Sequence, residues 1–114
     1  MVKRGDICWV DLPEPHASEP GYRRPVLVVQ SNDFNRSTIE TVIVAMLTTN
    51  MRLSQAPGNV TLLSEDSGLL KNSVVNVSQI YTIPLSSLQE TAGSVNESIM
   101  RTIDNGLKEV MSLF

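Results

Sequence analysis

Along most of the chain, apolar residues fall into short runs divided by turn formers, and the spacing becomes helical only near the end. Ile7 to Leu12 reads as a first strand, closed by Pro13-Glu14-Pro15, whose prolines cannot continue a ladder. A polar loop follows from His16 to Arg24. Pro25 to Gln30 is then a short, bounded, β-branched run of the kind that forms a buried strand. Ser31-Asn32-Asp33-Phe34-Asn35 carries capping and turn residues and predicts one helical turn. Glu40 to Thr48, with Thr41-Val42-Ile43-Val44 in a row, has the strongest strand pattern of all. Thr49 to Gly58 predicts a long loop, Val60 and Leu62 a half-exposed strand, and Glu65 to Leu70 a turn around Gly68. Ser73 to Ile83 reads as a strand stopped by Pro84, and Leu85 to Glu90 as a short helix.

Val95, Ile99, Ile103, Leu107 and Val110 lie four, four, four and three residues apart, which lines one face of a helix. Ser94-Val95-Asn96-Glu97 is a capping-box pattern and puts the helix start at Ser94. Gly106, beside the apolar stripe, costs ~1 kcal/mol against alanine in a helix interior, and close packing is the expected reason for it. Short strands followed by one helix predict a mainly β fold with helices, a small barrel with a C-terminal helix. The pattern alone names no function.

At 114 residues the chain fits one domain, residues 1–114, with a modest core that a partner subunit would help to bury. No segment is apolar and long enough to span a bilayer, and the opening Met1-Val2-Lys3-Arg4-Gly5-Asp6 lacks the apolar run of a signal peptide, so the cytoplasm is expected. Cys8 is the only cysteine and forms no internal disulfide; between Ile7 and Trp9 it reads as a small buried hydrophobe. One histidine and one cysteine cannot make a structural zinc site, and no Asp-x-Asp series suggests calcium. No cofactor is expected. A Ser-His-Asp triad would have to use His16, which has no supporting motif and reads as an exposed loop histidine.

The net charge of -3 argues against loose, bulk binding of nucleic acid but leaves room for a local site. Lys3, Arg4, Arg23, Arg24, Arg36 and Arg52 concentrate positive charge in the first half, where a phosphate site is to be sought. Within the loop 17–25, Gly21 permits close backbone approach, and Pro25 holds the residue before it extended. Arg24 thus stands at the mouth of a strand, where a guanidinium can clamp a phosphate. Thr48-Thr49-Asn50 ends the strongest strand and offers hydroxyls and an amide to phosphate oxygens. Spacing alone favours plainer roles for both, a surface pairing of Arg24 with Glu19 or Asp6 and simple strand termination at Thr48.

Arg4-Gly5-Asp6-Ile7-Cys8-Trp9-Val10-Asp11-Leu12 resembles the opening signature of the MazF/PemK family of toxin endoribonucleases. Ser18-Glu19 with Arg24-Pro25-Val26-Leu27-Val28-Val29-Gln30, then Ser31 to Asn35, is similar to the second block. Thr41-Val42-Ile43-Val44-Ala45 leading to Leu47-Thr48 resembles the third, and Gly68-Leu69, Ser73-Val74-Val75 and Gln79 to Ile83 resemble later ones. The match runs nearly end to end, in order. The resemblance implies an SH3-like β-barrel (PemK/CcdB-like) with a C-terminal α-helix, acting as a homodimer. It implies the toxin of a type II toxin–antitoxin pair, a metal-independent, sequence-specific cutter of single-stranded RNA. The attacking group would be the substrate's own 2′-hydroxyl, and a cognate antitoxin would cover the RNA groove. It assigns catalysis to Arg24 and Thr48, and RNA contacts to Ser18, Glu19, Thr49 and Gln79, with Glu19 also a candidate for positioning or proton transfer.

The chain departs from some members at Asn76 and Ser78, where they carry an Arg-x-Asp pair, and at Ser18, where they carry histidine, so that chemistry is unavailable. Tyr81 stands where many members have arginine and reads as a packing residue, with base stacking the alternative. Two other readings share the fold. A CcdB-type gyrase poison would carry a C-terminal tryptophan, whereas the only tryptophan here is Trp9 and the chain ends Met111-Ser112-Leu113-Phe114. A non-catalytic interaction module has no need of an intact Arg24 and Thr48.

Overall fold

The computed structural model describes residues 1–12 and 22–114. Strands β1 (Asp6–Leu12), β2 (Tyr22–Val28), β3 (Thr41–Thr48), β4 (Val60–Leu62), β5 (Ser73–Pro84) and β6 (Leu88–Ser94) form one six-stranded sheet in the order β4-β5-β3-β2-β1-β6. Every pairing in it is antiparallel. Two one-turn helices, α1 (Asn32–Asn35) and α2 (Ser64–Ser67), interrupt the strands, and α3 (Glu97–Met111) closes the chain.

Successive side chains of a strand point to opposite faces. One face gathers Ile7, Leu27, Ala45, Leu47 and Val75 with Ile103 and Leu107 of α3. The other gathers Cys8, Val10, Val26, Val28, Val44 and Met46. Central strands buried on both faces read as continuous apolar runs, which is why the β2 and β3 sequences do not alternate. The sheet also coils. A Cβ on Gly93 of β6 would lie 2.5 Å from the Ser67 carbonyl oxygen, and one on Gly68 only 2.2 Å from that of Ala92. This backbone contact brings the turn after β4 against β6, drawing the two edges of the sheet toward each other into a half-barrel.

Four boundaries differ from the sequence reading. β2 begins at Tyr22 rather than Pro25, because Arg23 and Arg24 pair with Asp11 and Val10. The expected loop after Thr48 contains a 3-10 helix, Met51–Gln55, capped by the Asn50 side chain, which accepts from the Arg52 N–H at 3.2 Å. The helix expected over Leu85 to Glu90 is a 3-10 turn at Leu85–Ser87 followed by β6, whose pairing with β1 overrides the short local pattern. Ser94 is consequently held by its pairing with Asp6, and the cap of α3 moves to Asn96, whose Oδ1 accepts from the Ile99 N–H at 2.8 Å.

Candidate active site

The β2–β3 register runs Val28↔Val44, Leu27↔Ala45, Val26↔Met46 and then stops. Val29 N–H donates to the Ile43 carbonyl at 3.1 Å, and bonded pairs of an antiparallel ladder recur at every second residue. The next bond of that series would join residue 25 to Leu47, but Pro25 has no N–H to give. The ladder therefore ends there, and the Leu47 carbonyl is left to another donor. Arg24 Nη2 reaches it at 3.4 Å, a long bond that a better acceptor can replace.

Arg24 and Thr48 flank this break, each two residues beyond the last pair of the ladder, Val26↔Met46. Both line a cleft of about 370 Å³ that opens where the ladder ends, together with Trp9, Pro25, Leu47 and Thr49. Arg24 and Thr48 are half-buried, Thr49 is exposed, and Leu47 is fully buried beneath them. Thr48 Oγ1 accepts from the Asn50 N–H at 3.1 Å. That bond uses one lone pair and fixes the oxygen, leaving the hydroxyl hydrogen to donate into the cleft.

A second guanidinium is committed elsewhere. Arg23 lies over the Trp9 ring, 4.4 Å from its centroid, and pairs with Glu90. Gln89 accepts from Arg23 Nε and donates to Asp11 at 2.7 Å. This network ties β2 to β1 and β6, so Arg23 lines the cleft with its charge already paired. Arg4, another candidate from the sequence, is equally engaged: it donates to the Val29 carbonyl at 2.8 Å and pairs with Asp104 of α3 at 2.6 Å.

Ser18, Glu19 and His16 lie outside the described residues. Gln79 stands apart from the cleft lining, within a bulge of β5 that falls between the pairs Ala45↔Ile80 and Met46↔Asn76. Tyr81 packs against the second apolar cluster. Cys8 is 2% exposed, and burial pushes its thiol above the ordinary value, with a hydrogen bond to Thr91 opposing and the Asp6 charge adding. Among the described residues, no three or more His, Cys, Asp or Glu side chains converge as metal ligands would. Sequence reasoning missed Trp9, Leu69, Leu70 and Lys71 as cleft residues. They meet only because the sheet coils, and no local pattern carries that signal.

The chain matches, over residues 3–111, the family described as PemK-like, MazF-like toxin of type II toxin–antitoxin system. It belongs to that family. It is 42% identical over 113 residues to the endoribonuclease MazF2 of Mycobacterium bovis, covering 99% of both chains. It is 33% identical to the endoribonuclease EndoA of Bacillus subtilis, covering 99% of this chain and 97% of that one. Among solved structures it is similar to an endoribonuclease in complex with its cognate antitoxin from a mycobacterial species, at a TM-score of 0.83 and 26% identity, covering 100% of this chain and 98% of that one. Family membership fits the half-barrel with its C-terminal helix, and it disfavours the gyrase-poison reading. No helix among the described residues is long and apolar enough to cross a membrane.

Proposed function

We propose that this family member is a toxin endoribonuclease that cuts single-stranded RNA without a metal, with Arg24 and Thr48 as its catalytic residues, working as one domain over residues 1–114. What supports the reading is the cleft that Arg24 and Thr48 share. In the reaction, the 2′-oxygen of the substrate bonds to the adjacent phosphorus, the bond to the 5′-oxygen breaks, and a cyclic phosphate and a 5′-hydroxyl result. The Thr48 hydroxyl donates to a non-bridging oxygen. The Arg24 guanidinium leaves the Leu47 carbonyl for the more strongly accepting phosphate, steadies its growing charge, and passes a proton to the departing 5′-oxygen, a loss made good through solvent by the proton that the base took from the 2′-hydroxyl. Glu19 is the candidate acceptor for the 2′-hydroxyl proton, and Ser18, Thr49 and Gln79 are candidate RNA contacts.

The protein is cytoplasmic in this reading and acts as a homodimer. Support for dimerisation comes from the groove of about 650 Å³ between α1, β3 and α3, where Phe34, Ile43, Met111 and Leu113 are all more than a third exposed. Its partner is a cognate antitoxin whose acidic segment competes with RNA for the cleft. The test is incubation with a long single-stranded RNA in EDTA, scoring 5′-hydroxyl and cyclic phosphate ends. Loss of one donor to a developing oxyanion costs about 10²–10³ in rate, which is expected for Thr48→Val and at least as much for Arg24→Ala. Near-normal cutting by both variants defeats the assignment; gyrase inhibition without cutting favours the poison, and neither activity favours a non-catalytic module.

A further inference from the structure

We propose that Lys71 is a second phosphate-binding residue of the cleft, holding the RNA strand at a phosphate other than the one that reacts; the inference rests on the ribonuclease reading above. Three cations line the cleft, Arg23, Arg24 and Lys71, and the described lining residues include no carboxylate, in a chain whose net charge is -3. Arg23 is spent on Glu90 and Trp9. Arg24 is the reacting-phosphate ligand. Lys71 is exposed, lines the cleft beside the apolar walls of Trp9, Leu69 and Leu70, and makes no ion pair among the described residues.

The mounting of Lys71 is firm. It sits in the turn between α2 and β5, an element separate from those carrying Arg24 and Thr48. Leu69 anchors that turn in the core and donates its N–H to Ser67 Oγ at 3.0 Å. Asn72 Oδ1 accepts from the Ser64 N–H at 2.9 Å, and Gly68 abuts β6. A lysine held this way acts as a point charge on a flexible stem and offers no planar fork. Such a contact strengthens substrate and transition state alike, so it changes KM and leaves kcat unmoved.

The probe is a fully 2′-O-methylated, mixed-sequence single strand, which lacks the attacking hydroxyl and cannot be cut. Binding is followed by fluorescence anisotropy over a series of salt concentrations, and cleavage of a long natural RNA is measured in parallel. Each phosphate contact on a single strand contributes about 0.7 to the slope of log K against log salt. Lys71→Ala is expected to lower the slope by that amount and to raise KM several-fold at unchanged kcat, whereas Lys71→Arg keeps the wild-type slope. Arg101→Ala, which removes the same charge from the exposed side of α3, is the control. An unchanged slope in Lys71→Ala, or an equal fall in Arg101→Ala, overturns the proposal while wild-type cutting leaves the ribonuclease reading standing. A wild-type protein that neither binds the probe nor cuts RNA overturns both.

Discussion

Gly106→Ala in the middle of α3 sets two effects of opposite sign against each other. Helix propensity alone favours alanine by ~1 kcal/mol. Against that, a Cβ at this position would stand 2.0 Å from the Gly58 carbonyl oxygen and 2.9 Å from its carbonyl carbon. Both obstacles are backbone, and Gly58 itself sits at φ +82°, so it cannot swing aside as a side chain would. Relief requires α3 to lift off the segment leading into β4, disturbing Ile103 and Leu107 in the core. Overpacking of this kind costs about 1–3 kcal/mol, and the unyielding contact puts it at the upper end. The net expectation is a loss of about 2 kcal/mol, or about 8 °C in Tm for a chain of this size. Asn105→Ala, one residue earlier on the exposed face, is the comparison and should gain about 0.5 kcal/mol. Urea and thermal unfolding at matched protein concentration provide the measurement. A Gly106→Ala variant as stable as wild type, or more so, would show that propensity rather than contact governs this crossing.

Asn59 accepts from the buried Val77 N–H at 3.0 Å and donates to the Leu53 carbonyl at 2.9 Å. Asn59→Ala orphans that donor and should cost about 2 kcal/mol in urea unfolding. Because the Cys8 thiol is raised in the folded protein, its contribution to stability is complete below the ordinary value of 9.0 and is lost as pH climbs through the folded value. Cys8→Ala should flatten that alkaline decline in a stability–pH series while leaving the profile below it parallel to wild type. Asp104→Asn removes the partner of Arg4, but Arg4 keeps its bond to Val29, so the half-exposed pair should account for about 1 kcal/mol or less, read from the unfolding midpoint.

The runs that became β1, β3, β4 and β5, and the helical stripe of α3, were legible because burial leaves its mark in the sequence: a bounded apolar run for β3, alternation for β4 and a helical period for α3. Ser31 was equally plain: its side chain accepts from the Asp33 N–H as the capping reading of α1 required. β6 was hidden because Leu88, Thr91 and Gly93 owe their extended shape to β1, far away in sequence. Arg24 and Thr48 could be named as candidate site residues only through family resemblance. Neither has a local pattern that distinguishes it from a salt-bridging arginine or a strand-ending threonine. What brings them to one cleft is the pairing of β2 with β3 through Val26↔Met46 and Val28↔Val44, a long-range fact that no window of sequence contains. Lys71 was out of sight for the same reason, and its position in the second half of the chain ran against the expectation that phosphate-binding charge lay in the first.

Because the gap beside Pro25 comes from a pyrrolidine ring in a central strand, the furrow does not depend on charge repulsion or on an incoming ligand for its opening. Fixing the backbone of one residue costs ~1–2 kcal/mol, and the walls built by β2 and β3 incur that cost when the polypeptide folds rather than when RNA arrives. Under the ribonuclease reading proposed above, the strand would meet walls already in place, and the ordering cost would fall on the RNA rather than on β2 and β3.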